Sequence, residues 1–409
     1  MAELLKRGHA VALFYAGNEI PSRDQLVQNG LEGLRLFPSP FLRTRAQVIL
    51  SVWKPHVAHR FKEAIRQFTP DIVVFHHLVR LSLNLPSVAK RMGVPTISYL
   101  HDFYFVCSSY SLFDSHDRIC SGGSPYKCCK CLYEARFRLG VSYLPVYLAG
   151  LPFIILRNQL IKRLYRDVAV FVSPSKFMPQ ELERLRFVVG KCVVIPYGAG
   201  AVYRTGPRVS DEPTRFGFIG NPVRKKGIEL LAKAFQGPLS KLLLIRGFQD
   251  QKAIDVFRRS AKDFYADLQV YNPDLNSFFN SIDVVIVPSI WYENQPKVII
   301  EAFSFGKAVI CSDLGGMSEM IREYGSGLLF EPGNPEDLRR KVESLIENPR
   351  LLNTLVASCR PWPTVEEEVD RLHAVAREIV RDLYPEVNFL SPGNRIPKNE
   401  DSKANHNEP

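Results

Sequence analysis

Residues 283–288 read DVVIVP, a run of β-branched apolar residues without the in–out alternation of a strand that has one wet face. Such a run belongs in a sheet covered on both sides, as parallel sheets are. After it come Trp291, Tyr292, Glu293, Asn294 and Gln295, then Pro296, which suits the start of a helix. Residues 297–305 have helical apolar spacing, and Gly306 is a natural stop before a further strand at 308–312. Strand, loop, helix and strand in this order form a βα unit of an open parallel sheet. Ligands of such sheets bind in the crevice outside the carboxyl ends of the strands, where free helix N–H groups attract phosphate. Glu293 is therefore expected in the mouth loop and Glu301 in the first turns of the helix. Carboxylates cannot hold phosphate, but each accepts two hydrogen bonds from neighbouring hydroxyls. The arrangement suits a sugar and a ribose on either side of a diphosphate.

The pair Glu293 and Glu301, followed by KAVICSDLGGMSEMI at 307–321 and GSGLLFEPGNPEDL at 325–338, resembles the Glu-x7-Glu signature and closing segments of the retaining GT-B glycosyltransferases of the large GT4 family, glycosyl transferases group 1. The resemblance implies an α/β chain of GT-B architecture, two doubly wound Rossmann-like domains facing across a cleft. It implies transfer of a sugar from a nucleotide-diphosphate sugar to an acceptor hydroxyl with retention of configuration. No metal cofactor is required for this chemistry, because basic side chains and helix N–H groups take its place.

Further residues extend the resemblance. The expected strand RFGFIG at 215–220 leads into Asn221, Pro222, Val223, Arg224, Lys225, Lys226 and Gly227. In the family an Arg and, several residues on, a Lys-Gly pair neutralise the donor diphosphate. Lys226-Gly227 matches, whereas Asn221 holds the Arg position, so the missing charge would come from Arg224 or Lys225. A guanidinium forks to two phosphate oxygens and an ammonium acts as a point charge, so the exchange is not neutral. His101 closes an expected strand at 96–100. The resemblance implies that it contacts the transferred sugar; the structural alternative is a histidine that caps the strand end. A carboxylate on one ring nitrogen fixes the tautomer of the other, which would be the part of Asp102. His76 and His77 end an earlier strand and rank lower. The expected site thus has His101, Glu293 and Lys226 at the reacting sugar, with Glu301, Gly220, Asn221, Arg224, Lys225, Gly198, Asn294, Gln295, Pro296, Lys297 and Val298 around the donor.

A chain of 409 residues exceeds what one core usually supports. VIPYG at 194–198 resembles the family hinge, and 204–212 is a polar linker. The expected division is an acceptor-side domain at 1–195 with a Cys-rich insert at 107–131, a nucleotide-sugar domain at 196–364, a helix at 365–384 crossing back to the first domain, and a disordered polar tail at 385–409. In the first domain, helices at 46–67 and 85–92 alternate with strands at 71–75, 96–100 and 169–174. Residues 1–14 resemble the segment that follows the family's first strand and glycine-rich loop. Either the true start lies upstream or the protein lacks that strand.

The insert holds Cys107, Cys120, Cys128, Cys129 and Cys131. Cys128-x2-Cys131 has the pair spacing of a structural zinc knuckle, which Cys107 and Cys120 would complete with four thiolates. The other reading is reduced thiols packing a loop beside the acceptor.

Net charge is +11, and residues 43–66 and 134–166 each carry net +5 of it. Both are interleaved with apolar residues: Val48, Ile49, Leu50, Val52 and Trp53 in one, Tyr143, Leu144, Tyr147, Leu151 and Phe153 in the other. Such surfaces either are solvated or lie on an anionic leaflet, at roughly 1 kcal/mol per basic residue. No recognition motif accompanies the charge, which argues against nucleic acid. The longest apolar run, 141–156, is shorter than the about 20 residues of a spanning helix and is broken by Pro145 and Pro152. A cytoplasmic enzyme is expected, in peripheral contact with the membrane and using a lipid-linked or polysaccharide acceptor in bacterial surface polysaccharide or glycolipid assembly. Two rivals stand beside it: a GT-B-type nucleotide-sugar epimerase, and a truncated nucleotide-binding pseudo-enzyme, suggested by Asn221 and the absent strand. A Rossmann oxidoreductase would need an N-terminal glycine fingerprint that is missing.

Overall fold

The computed structural model describes residues 1–17, 19–39, 54–137, 144–187, 189–200, 213–261 and 263–383. Its strands are β1 (Ala12–Ala16), β2 (Arg35–Ser39), β3 (Val73–Phe75), β4 (Thr96–Tyr99), β5 (Val170–Ser173), β6 (Cys192–Val194), β7 (Phe216–Ile219), β8 (Leu243–Phe248), β9 (Asp267–Val270), β10 (Val284–Val287), β11 (Ala308–Ser312) and β12 (Gly327–Phe330). β7 to β12 form one six-stranded parallel sheet in the order β12-β11-β10-β7-β8-β9. Helices lie between successive strands, so the sheet is doubly wound. Its order reverses between β7, the first strand, and β10, the fourth. That is where the crevice for a ligand opens in such sheets.

Burial explains the unalternating run that begins at Asp283. Val284 and Ile286 pack into the core on one face with Phe216, Phe218 and Ile310. Val285 and Val287 pack on the other with Ile299, Phe303 and Cys311. A period of two with both faces covered leaves no polar position.

β3 to β6 form a four-stranded sheet in chain order, and β1 and β2 pair in parallel as a separate two-stranded sheet. Phe61, on the Pro55–Phe68 helix, packs against Phe14 of β1 at 5.1 Å and Phe75 of β3 at 6.0 Å between ring centroids. One helix face therefore spans both sheets.

The chain divides into two compact units: Met1–Tyr99 with Leu160–Phe171 and the chain from Val369, and Leu100–Gln159 with Val172–Glu368. In the first, Arg7 meets Asp370 at 2.5 Å and His9 lies edge-on to His373.

Several elements depart from the sequence-based expectations. β2 contains Pro38, which argues against a strand except at an edge, and β9 is a short edge strand with a polar residue at every second position. Helix Pro125–Phe137 carries Cys128, Cys129 and Cys131 of the Cys-rich insert, and helix Leu144–Leu164 occupies the stretch read only as basic and apolar. Pro145 lies in the first turn, where its missing N–H is harmless, while Pro152 is internal. The helix expected at 46–67 is described from Pro55. Val48, Ile49, Leu50, Val52, Trp53 and Tyr143, the linker 204–212 and the tail 385–409 lie outside the described residues. Among the described residues no helix is long and apolar enough to cross a membrane.

Candidate active site

β7 ends at Ile219, and the chain turns through Gly220, exposed Asn221 and a tight turn at Arg224–Lys226 before the Ile228–Ala234 helix. Gly227 makes this path possible. Its φ is +79°, and a Cβ there would stand 1.8 Å from the carbonyl oxygen of Pro288, at the carboxyl end of β10. The turn therefore closes directly on the loop that carries Glu293. Lys226 Nζ lies 2.5 Å from Glu293 Oε1, bridging 67 residues of sequence. The same oxygen accepts hydrogen bonds from Trp291 Nε1 at 2.8 Å and Ser289 Oγ at 3.1 Å. The face of Trp291 carries Lys225 Nζ at 4.2 Å from its centroid and Lys226 Nζ at 5.6 Å. Burial, and then Lys226, lower the Lys225 pKa, while Glu293 opposes them. Two ammonium groups are thus concentrated at the switch point of a parallel sheet. An ammonium has three hydrogens, so Lys226 bonded to Glu293 still has donors for an anion.

Beyond Glu293 the loop is held by a second close approach. A Cβ on Gly316 would stand 1.5 Å from the Asn294 carbonyl oxygen, and Gly316 N donates to Glu293 O at 3.0 Å. The Gly315-Gly316 pair is what lets the Gly315–Tyr324 helix pack on this loop. Asn294 and Gln295, expected to bind substrate, are buried, and their side-chain amides serve the protein itself. Asn294 Nδ2 donates to Leu100 O at 2.7 Å and its Oδ1 accepts from Ser175 Oγ at 2.5 Å. Gln295 Oε1 accepts from Tyr197 N at 2.7 Å and its Nε2 donates to Pro174 O at 2.9 Å. These side-chain atoms of Asn294 and Gln295 are thus engaged within the protein.

Pro296 caps the Lys297–Ser304 helix; Lys297 is exposed and Val298 half-buried. Amides in the first turn of a helix lack intrahelical acceptors. Glu301 is partly buried and accepts no side-chain hydrogen bond among the described residues; burial raises its pKa, with Lys297 opposing. A carboxyl group whose folded pKa is raised contributes stability below its unfolded value, about 4.5, and loses it as pH rises through the folded value. Glu301→Gln should therefore raise Tm at pH 7 and leave it nearly unchanged at pH 4. Equal shifts at both pH values in thermal melts would refute this.

His101 follows β4 in the loop bonded to Asn294, and its Nδ1 bonds the hydroxyl of Tyr197. Asp102, expected to orient the imidazole, accepts the Tyr104 N–H at 2.9 Å and so caps the next turn. His76 stacks on Tyr99 at 4.7 Å, and burial lowers its pKa. His77 Nδ1 accepts from Val79 N. Gly198 donates its N–H to Glu368 at 2.7 Å, and a Cβ there would stand 2.4 Å from Val365 Cα. Arg224 pairs with Asp117 of the Cys-rich insert at 2.9 Å.

The zinc expectation requires correction. Among the described residues no group of three or more His, Cys, Asp or Glu side chains is placed to hold a metal ion. Burial, then the neighbouring Cys107, Cys120 and Cys131, push the Cys128 thiol up to about 11, and burial likewise raises Cys131. Burial therefore favours the thiol form of Cys128 and Cys131, which stand on the Pro125–Phe137 helix, an environment that spacing alone could not show.

A doubly wound α/β domain with a Lys–Glu pair at its switch point defines the class: a parallel-sheet protein with a charged pair in the crevice where ligands of such sheets bind. Comparison with known proteins extends this. Residues 1–199 match the family described as Glycosyltransferase Family 4, and residues 203–360 match Glycosyl transferases group 1. An uncharacterised 42.6 kDa protein in the cps region of Klebsiella pneumoniae is 22% identical over 78% of this chain and 80% of its own length. The 2-deoxystreptamine glucosyltransferase of Streptomyces kanamyceticus is 22% identical over 88% of this chain and 90% of its own. Among solved structures, HepE from Anabaena in complex with UDP aligns with a TM-score of 0.55 at 14% identity, over 92% of this chain and 99% of that one. HepE has also been solved with UDP-glucose. The chain is a glycosyltransferase with the GT-B fold, of the GT4-like type.

Proposed function

We propose that the chain moves a sugar from a nucleotide-diphosphate sugar to an acceptor hydroxyl with retention of configuration. The observation that carries this is the Lys226–Glu293 pair at the β7/β10 switch point beside the start of the Lys297–Ser304 helix. Lys226 and the first-turn amides stabilise the departing diphosphate as its charge develops, which is usually the largest single contribution to rate. Glu293 and the backbone after it hold sugar hydroxyls, Glu301 holds the ribose diol, and His101 lines the sugar. Arg224 or Lys225 supplies the charge that Asn221 lacks. The UDP and UDP-glucose complexes of HepE support a donor of this class. The test is turnover of a panel of nucleotide sugars by wild type and Glu293→Gln. One donor should be cleaved, and the variant should lose at least about tenfold, or 1.4 kcal/mol. Donor conversion to a free altered sugar would point to the epimerase instead, and binding without turnover to a pseudo-enzyme.

A lipid-linked or polysaccharide acceptor in bacterial surface polysaccharide or glycolipid assembly, met at an anionic membrane surface, belongs to the same reading. The Leu144–Leu164 helix exposes Phe153, Ile155 and Leu156, and its exposed Lys162 and Arg163 lie seven residues beyond the last two, on the same face. An apolar patch continued by cations fits the headgroup boundary. The protein should sediment with anionic vesicles at low salt and less at high salt, and Leu156→Glu should weaken this. Equal recovery with neutral vesicles would remove the charge-based part of the reading.

A further inference from the structure

Tyr197 is joined through three polar atoms to three separate segments. Its backbone N–H donates to Gln295 Oε1 at 2.7 Å, its carbonyl accepts from Trp362 Nε1 at 2.8 Å, and its hydroxyl meets His101 Nδ1. Its ring also lies nearly parallel to the imidazole, 5.7 Å between centroids and 21° between planes. The backbone of His101 is held from the same side, because Asn294, the neighbour of Gln295, donates to the carbonyls of Leu100 and His101 at 2.7 and 3.3 Å. A closed ring of hydrogen bonds therefore runs from the Glu293 loop to His101, through the phenol to the hinge, and back to Gln295.

We infer that Tyr197 is a positioning residue for sugar transfer, its hydroxyl donating to His101 Nδ1 so that the remaining imidazole hydrogen is kept on Nε2. The direction of the bond follows from the two groups. A neutral imidazole nitrogen is a far better base than a phenol oxygen, and a phenol is a good donor, so O–H···N is the favoured arrangement between neutral partners. With Nδ1 occupied as an acceptor, the hydrogen resides on Nε2, as second partners of histidines generally determine. The stacked ring limits rotation, and the Gln295 bond ties its backbone to the loop carrying Glu293. This inference rests on the reading of His101 as a sugar contact.

The experiment is a double-mutant cycle with Tyr197→Phe and His101→Ala on the full chain, read with the donor that the panel identifies, together with 15N NMR of the His101 ring. Tyr197→Phe removes one oxygen and leaves the ring and both backbone bonds. It should lower kcat by about tenfold with KM for the donor within about twofold. It should add nothing to His101→Ala, and in the NMR spectrum it should turn a single Nε2–H tautomer into a mixture. A Tyr197→Phe enzyme with wild-type kcat beside a crippled His101→Ala, equal losses in both backgrounds, or an unchanged tautomer would each overturn the inference. If His101→Ala keeps full kcat, the role of His101 falls and this inference with it, while the Glu293→Gln result decides glycosyl transfer separately. Should wild type turn over no donor, the NMR comparison still decides whether Tyr197 sets the tautomer.

Discussion

Lys226→Ala is expected to lower kcat for donor turnover by about 10²–10³, or roughly 2.7–4 kcal/mol, the range for removing one preorganised donor from a developing anion. The ammonium stands 2.5 Å from Glu293 and is held there before any donor arrives, so no reorganisation is required when charge builds on the diphosphate. The Glu293 side chain is 12% exposed and that of Lys226 32%. The variant leaves a largely buried carboxylate with two remaining donors, Trp291 and Ser289, which limits the accompanying loss of stability. Lys226→Arg keeps the charge but brings a planar fork into a turn built for a point donor, and an intermediate kcat is expected. Steady-state kinetics beside thermal melts separate the effects. A Lys226→Ala enzyme whose kcat stays within about threefold of wild type would place diphosphate stabilisation elsewhere in the site.

Gly227→Ala should be among the most damaging single-methyl changes in the chain. The residue has φ +79°, where a side chain costs about 1–2 kcal/mol. Its Cβ would also meet the backbone of Pro288 at 1.8 Å, and relieving such an overlap shifts the end of β10 at a further cost of about 1–3 kcal/mol. The turn carrying Lys226 would move from the Glu293 loop, so turnover should fall even in the fraction that folds. Gly333 provides the control: its φ is +80° but nothing lies within 4 Å of the position of a Cβ, so Gly333→Ala should show the backbone cost alone. Equal melting temperatures for the two variants would show that the approach to Pro288 is not what requires glycine.

Much of the architecture of the second half was legible in the linear chain. The run at 283–288 became β10 at Val284–Val287, the stretch at 297–305 a helix over Lys297–Ser304, and 308–312 the strand β11. These elements are determined by local chemistry: β-branched residues, a proline at a helix start, and a glycine at its end. The Glu293 and Lys226 motifs were likewise visible as residue types in loops after strands.

Their meeting was not visible. Nothing in the order of residues says that the first and fourth strands of the sheet lie side by side, because that choice maximises burial over both faces of the whole sheet. It is what brings Lys226 across 67 residues to Glu293. The same holds for Asn294 and Gln295, whose amides could as well have faced a ligand until the chain placed the Leu100, Pro174 and Tyr197 backbone against them. Cysteine spacing was compatible with both a thiolate cluster and buried thiols, and only the surroundings of Cys128 favoured the thiols. His101 Nδ1 bonds the hydroxyl of Tyr197, 96 residues away, a partner that its neighbours in sequence do not announce. Periodicity and punctuation act within a few residues and so determine which elements form; hydrogen-bond partners and close backbone approaches depend on packing across the fold, and only the tertiary structure decided them.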